Sequence, residues 1–203
     1  MHNSKEQMVF VVDDDAAVRD SIAELVESVG LQAECYAAAA EFLDNLEPER
    51  PGCLVLDVRM AEMSGLELQQ RLNTLGISMP VIMLTGHGDV TMAVEAMKAG
   101  AVDFLQKPYR EQALLDSINT ALMKDATDRR SDAVDERLDQ RLAGLTERER
   151  EVLDQLLLGK TSKEIARILA ISPRTAEVHR RNLLHKLGFR TVKELMLVLA
   201  SRV

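Results

Sequence analysis

Residues 8–12 read MVFVV and run without a break into Asp13, Asp14 and Asp15. An unbroken apolar run this short reads as a strand buried on both faces, a situation found in parallel sheets flanked by helices. Three adjacent carboxylates repel one another and resist desolvation, so a cation or a helix start must offset their cost. Further apolar runs fall near 32–36, 53–56, 80–84 and 102–105. Helical patterns lie between them, the clearest being Val18, Ile22, Leu25, Val26 and Val29, closed by Gly30 just past the end. Five β-α repeats predict a parallel sheet with helices on both faces, an α/β fold of the flavodoxin-like kind.

The strand ends carry the chemistry. The first run ends in Asp13-Asp14, the third in Asp57, the fourth in Thr85 and the fifth in Lys107. In an open α/β sheet the ligand crevice lies at the carboxyl ends of the strands, at the point where the strand order reverses. These side chains therefore converge there. Three carboxylates with one ammonium suit a hard divalent cation such as Mg²⁺. A carboxylate held beside that cation, with Lys and Thr flanking, can attack a phosphoryl group while its neighbours neutralise the transferring oxygens. Asp13 and Asp14 are then metal ligands, and Asp15 favours the following helix start. The plainer alternative, three acids that only solvate and cap a helix, leaves Asp57, Thr85 and Lys107 without a purpose.

Beyond Leu145 the pattern becomes purely helical. Thr146/Glu149, Thr161/Glu164 and Thr191/Glu194 each read as a capping box, and Ser172-Pro173 marks a fourth start. Four short helices are predicted, the second and third joined by a tight turn in LAISPRT. On a helix over 173–187, Ala176, Leu183 and Leu187 define an apolar side, flanked by Arg180 and Leu184. Arg174, Val178, Arg181 and His185 fall opposite, flanked by Glu177 and Asn182. A basic face beside a buried one is what a major-groove recognition helix requires. Lys160, Lys163 and Thr175 lie near helix starts and suit phosphate contacts better than base reading. Arg181 can read guanine or bind a phosphate. Val192, Leu195, Met196 and Leu199 form a stripe that serves either this unit's core or a dimer contact.

Charge separates the two halves. Residues 1–123 hold 8 Lys/Arg against 20 Asp/Glu, whereas residues 145–203 hold 12 against 7. An acidic front and a basic back suit different partners, the back being suited to nucleic acid. The expected boundaries are 1–123, a charged helical or partly disordered connector over 124–144, and 145–203. Cys35 and Cys53 lie in apolar runs without CxxC spacing and read as core thiols of a reducing compartment. The polar start MHNSKEQ and the lack of a long apolar run predict a cytoplasmic protein with no membrane partner. Two phosphate-loop lookalikes fail: GHGDVT (86–91) has Thr91 in place of a third glycine, and GKT (159–161) follows a helix rather than a glycine-rich turn. His87 either tunes water access at the pocket or is a solvated loop residue.

The stretches VVDDD, LVLDVRMAEMSGLEL and LTGHGDVTMAVEAMKAGAVDFLQKPY together resemble the receiver domain of two-component response regulators, especially the FixJ type. LTEREREVLDQLLLGKTSKEIARILAISPRTAEVHRRNLLHKLGFRT resembles the LuxR-type helix-turn-helix domain. The resemblance implies that Asp57 accepts phosphate from a sensor histidine kinase, and that Asp13, Asp14, Asp57 and the Arg59 carbonyl organise Mg²⁺. It implies that Lys107 pairs with the phosphate, that Lys107–Pro108 is cis, and that Thr85 and Phe104 act as the switch pair. It places Glu177, Val178 and Arg181 in the groove of promoter DNA. A phosphorylation-dependent homodimer is implied around Thr91, Val94, Glu95, Lys98, Val102 and Asp103, with RNA polymerase as a further partner. The protein is then a transcription regulator rather than an enzyme, catalysing only its own phosphorylation and dephosphorylation. Ala61 stands where the family often has Pro, so the loop there is expected to be looser, and Tyr109 stands where Phe is common. Two rival classes differ in their motifs. An RNA-binding antiterminator would carry a smaller output module, and a haloacid-dehalogenase-type phosphatase needs a turn that DDDAA lacks.

Overall fold

The computed structural model describes residues 7–86 and 90–200, so His87 lies outside the described residues. The contacts divide the chain into two compact units between Arg130 and Ser131. In the first, strands β1 (Met8–Val12), β2 (Gln32–Tyr36), β3 (Gly52–Asp57), β4 (Val81–Thr85) and β5 (Asp103–Gln106) pair in parallel in the order β2-β1-β3-β4-β5. The helices that follow them are α1 (Ala16–Ser28), α2 (Ala39–Asp44), α3 (Gly65–Thr74), α4 (Val90–Lys98) and α5 (Glu111–Ala143). Every residue of β1, β3 and β4 is buried.

Alternation along those strands sorts their side chains into two cores. Phe10, Val12, Leu54, Leu56 and Met83 pack with Phe42 of α2, Leu68 and Leu72 of α3, and Ala96 of α4. Val9, Val11, Cys53, Val55, Ile82 and Leu84 pack with Ile22 and Val26 of α1 and Leu114 and Ile118 of α5. Burial pushes the Cys53 thiol up to about 12, with the charge of Asp125 adding to it, so this cysteine is inert packing. Cys35 corrects the expectation of two core thiols. It sits on the edge strand β2, where the outward residues meet solvent, and it is exposed. Val29 likewise leaves the predicted apolar stripe: as the C-cap of α1 it has turned out of the helix and is exposed.

α5 runs helically through the charged stretch after Leu122. Asp125 on it is 1% exposed, and one of its oxygens accepts the Gly52 N–H at 3.0 Å. The other accepts from Arg129 Nε at 2.8 Å, while Arg129 Nη2 donates to the Arg50 carbonyl, also at 2.8 Å. A Cβ on Gly52 would stand 2.1 Å from the Met8 carbonyl oxygen, so no side chain fits at the point where β3 enters the sheet.

The second unit contains α6 (Glu147–Leu157), α7 (Ser162–Ile168), α8 (Pro173–Leu187) and α9 (Val192–Ala200), with the end of α5 contributing Leu138 to their common core. Thr146/Glu149 and Thr161/Glu164 form complete capping boxes. The third is displaced: Glu194 N–H donates to Thr191 Oγ1, but the Glu194 carboxylate accepts from Arg190 N–H, one residue earlier than the pattern requires. Gly159 ends α6 in a left-handed turn and Thr161 caps α7, so GKT is a link between helices rather than a phosphate loop. Among the described residues no helix is long and apolar enough to cross a membrane.

Candidate phosphoacceptor pocket and nucleic-acid interface

The strand order reverses between β1 and β3, and Asp13 and Asp57 stand at the carboxyl ends of those two strands. Asp13 is 1% exposed and Asp57 5%. Lys107, at the end of β5, reaches both: its Nζ lies 2.6 Å from Asp13 Oδ2 and 2.6 Å from Asp57 Oδ1. Asp57 Oδ2 accepts the Arg59 N–H at 2.7 Å, and Asp13 Oδ1 accepts the Asp15 N–H at 3.0 Å. Thr85 is fully buried at the end of β4, and its carbonyl accepts the Lys107 N–H at 2.7 Å. The Lys107–Pro108 peptide is cis.

Electrostatics follow from this arrangement. Burial pushes the Asp57 carboxyl upward, the Lys107 ammonium pulls it back through its hydrogen bond and charge, Asp13 raises it again, and the balance is upward. For Lys107 burial lowers the pKa, but hydrogen bonds and charge from Asp13 and Asp57 more than offset it. Asp57 is therefore a buried, basic carboxylate beside a firmly protonated ammonium.

Of the opening three acids, the third takes the helix-start part expected of it. Asp15 is the N-cap of α1, its side chain accepting the Ala17 N–H at 2.9 Å. Asp14 is exposed and accepts the Ala61 N–H at 3.3 Å. A proline at 61 could not make that bond, so Ala61 ties the loop to the acid pair where a looser loop was expected. Arg19 was missed by sequence reasoning. Its Nη1 donates to the Asp13 carbonyl at 2.7 Å, and an i,i+6 spacing across a strand-to-helix turn gives no local signal for such a bond.

Among the described residues no three acidic, His or Cys side chains form a ready-made metal cage. The donor set nevertheless fits Mg²⁺. The two carboxylates gathered there, Asp13 and Asp57, are oxygen donors, and Mg²⁺ keeps several waters rather than requiring an all-protein cage.

Phe104 on β5 is half-buried against the core that includes Ala96 of α4, as is Met92. Thr91, Val94, Glu95 and Lys98 lie exposed on α4, whereas Val102 and Asp103 are half-buried. The Asp103 carboxylate is engaged by the Ser117 hydroxyl and the Phe104 N–H.

In the second unit, α8 buries Ala176, Leu183, Leu184 and Leu187. Arg174, Glu177, Val178, Arg181, Asn182 and His185 are exposed, as are Lys160 and Lys163. Thr175 is exposed but its hydroxyl pairs with that of Ser172, the N-cap of α8, at 2.7 Å. Leu195 is the buried anchor of α9, with Val192 and Leu199 packed behind it and Leu197 exposed. Val192, Leu195 and Leu199 of the stripe thus serve the unit's own core, and Met196 is half-buried.

A parallel five-stranded sheet with an Asp–Lys–Asp cluster at its switch point, and a separate four-helix unit bearing a basic helix face, define a receiver joined to a helix-turn-helix output. Residues 9–119 match the response regulator receiver domain and residues 143–199 match the bacterial regulatory proteins of the luxR family. The chain belongs to the two-component response regulators with a LuxR-type DNA-binding domain, and is therefore a transcription regulator. It is 47% identical to the transcriptional regulatory protein FixJ of Azorhizobium caulinodans over 93% of this chain and 89% of that one. Identity to the transcriptional regulatory protein TdiR of Thauera aromatica is 46%, over 93% of this chain and 83% of that one. The solved structure of the response regulator StyR superposes with a TM-score of 0.86 at 42% identity, covering 97% of this chain and 99% of that one. Membership implies a sensor kinase upstream and DNA downstream, and the luxR match decides against an RNA-binding output.

Proposed function

We propose that Asp57 is the phosphoacceptor and that its phosphorylation drives dimerisation and promoter binding. The observation that carries this is the Lys107 ammonium bridging Asp57 and Asp13 at 2.6 Å in a buried strand-end pocket. A carboxylate oxygen of Asp57 attacks phosphorus in the phosphorylated kinase. A P–O bond forms as the bond from phosphorus to the kinase's histidine nitrogen breaks, and the electron pair leaves with the imidazole. Lys107 shifts from holding two carboxylates to pairing with the new phosphoryl oxygens. Asp13, Asp14, Asp57 and the Arg59 carbonyl would hold Mg²⁺, which would supply positive charge to offset that of the transferring oxygens. Thr85 and Phe104 would reorganise with the phosphate, and the surface of Thr91, Val94, Glu95, Lys98, Val102 and Asp103 would close against a second copy. The gain from the phosphate is a population shift that dimerisation holds.

In the output unit, Glu177, Val178, Arg181, Asn182 and His185 would enter the major groove, with Lys160, Lys163, Arg174 and Thr175 on phosphates. Val178 acts only through apolar contact, most naturally with a thymine methyl, and RNA polymerase would be met at the promoter. Incubation with acetyl phosphate and Mg²⁺ followed by mass spectrometry should place the label on Asp57. Labelling of Asp57→Asn at the wild-type rate would overturn the assignment.

A further inference from the structure

The turn between α8 and α9 builds a basic cleft that adjoins Glu177, Arg181 and His185 and adds two residues not assigned above, Arg180 and Arg190. Gly188 adopts a left-handed conformation with φ 81°, and its N–H donates to the His185 carbonyl at 3.2 Å. Phe189 N–H donates to the Leu184 carbonyl at 2.9 Å, closing the helix end and turning the chain back beside α8. At the next residue the Arg190 N–H is taken by the Glu194 carboxylate at 3.0 Å. Arg190 is therefore held between one helix's C-terminal motif and the next helix's cap, with its side chain exposed. A lone arginine in a free loop would lose more freedom on meeting a ligand.

The cleft formed this way has a volume of about 400 Å³. Arg180, Arg181, Arg190 and His185 line it together with Glu177, while Leu184 and Phe189 supply apolar surface. Three guanidiniums thus face one carboxylate. Among the described residues none of the three is in an ion pair, and the polar contact recorded for their side chains is Arg180 Nη1 to Ser162 Oγ at 3.3 Å. Clustered like charges cost free energy in the empty protein, and an anion relieves that cost. The planar fork of a guanidinium matches phosphate oxygens two at a time.

We propose that this cleft binds a backbone phosphate of the DNA strand bordering the groove, with Arg190 as its principal ligand and Arg180 as the second. The proposal rests on α8 being the recognition helix. It adds a contact that fixes the register of that helix on the duplex and carries no sequence information. Phe189 and Leu184 pack against the adjoining sugar.

The test uses the full chain, phosphorylated with acetyl phosphate and Mg²⁺, and two duplexes: one selected from a random pool by the wild-type protein, and one of the same composition in scrambled order. Binding is measured by anisotropy across several salt concentrations for wild type, Arg190→Ala and Arg190→Lys. Arg190→Ala should lower the slope of log K against log salt by about 0.9 per bound protomer on both duplexes, and weaken binding about eightfold per protomer at 0.1 M salt relative to 1 M. Arg190→Lys, which keeps the point charge, should retain the slope. Inorganic phosphate added at matched ionic strength should leave wild-type binding unchanged. An unaltered slope in Arg190→Ala, a loss confined to the selected duplex, or displacement by inorganic phosphate would each overturn the proposal. A pool that yields no preferred duplex would sink the reading of α8 instead, whereas a slope loss on the scrambled duplex would still uphold the phosphate site.

Discussion

Arg129→Ala should destabilise the first unit more than removal of the whole Asp125–Arg129 pair. The Asp125 side chain is 1% exposed and that of Arg129 29%. Taking away the arginine leaves a buried carboxylate with the Gly52 N–H as its remaining recorded donor. Breaking one side of a buried pair costs roughly 3–5 kcal/mol. Water reaches the partly exposed arginine site and softens that figure, so the expected loss is about 3 kcal/mol. In Asp125→Ala/Arg129→Ala the orphaned charge is gone, and the main penalty is the unsatisfied Gly52 N–H, about 1–2 kcal/mol. Both tyrosines, Tyr36 and Tyr109, lie in the first unit, and the chain has no tryptophan, so tyrosine fluorescence reports this unit alone. With a urea slope of roughly 2 kcal/mol per molar, the Arg129→Ala midpoint should fall by about 1.5 M, and the double variant should recover about half of that. A midpoint for Arg129→Ala within about 0.3 M of wild type would refute the reasoning, as would a double variant less stable than the single one.

Gly52→Ala should cost roughly 1–3 kcal/mol in the same titration, because its Cβ would meet the Met8 carbonyl oxygen at 2.1 Å and β3 must shift away from β1; a wild-type midpoint would mean the strand entrance is looser than it stands. Glu149 gives a pH prediction for the second unit. Burial raises its pKa, but the Lys186 ammonium and the Thr146 backbone and hydroxyl groups outweigh burial, so the folded value lies below the ordinary 4.5. A depressed carboxylate contributes stability that is present above its unfolded value and is lost as pH falls through the folded one. Thermal melts followed by far-UV circular dichroism should show an acid-side loss below pH 4.5 that shrinks in Glu149→Gln; an unchanged acid limb would count against it.

Legibility in the sequence tracked how local each cause is. β1, β3 and β4 were visible because burial on both faces leaves an uninterrupted apolar run, and the strand-end Asp13, Asp57, Thr85 and Lys107 fell into place once the strands were in order. Cys35 was misread because QAECY looks like a buried run of the same kind as the others, although its Gln32 and Glu34 mark an edge strand whose outward face meets solvent. Val29 looked like one more turn of a stripe, although the helix had already ended. Asp125 could not be read at all. It sits in a run of charges that resembles a solvated helix, and its burial depends on an N–H 73 positions away in the chain. Arg190 escaped for a related reason: its place is fixed by two helix ends, neither of which marks it as anything but a turn residue.

The two cores on either side of the sheet bear on how the chain can vary. Cys53 and Val55 answer to α1 and α5, while Leu54 and Leu56, interleaved with them on the same strand, answer to α2, α3 and α4. Substitutions on opposite faces share no partners, so their effects should add, whereas those on one face should depend on one another. Inherited changes in this unit ought then to fall into two sets that drift separately. The helices carrying the surface of α4 could be remodelled along a lineage while the α1–α5 side keeps its ancestral packing, and neighbours in the sequence would belong to different histories.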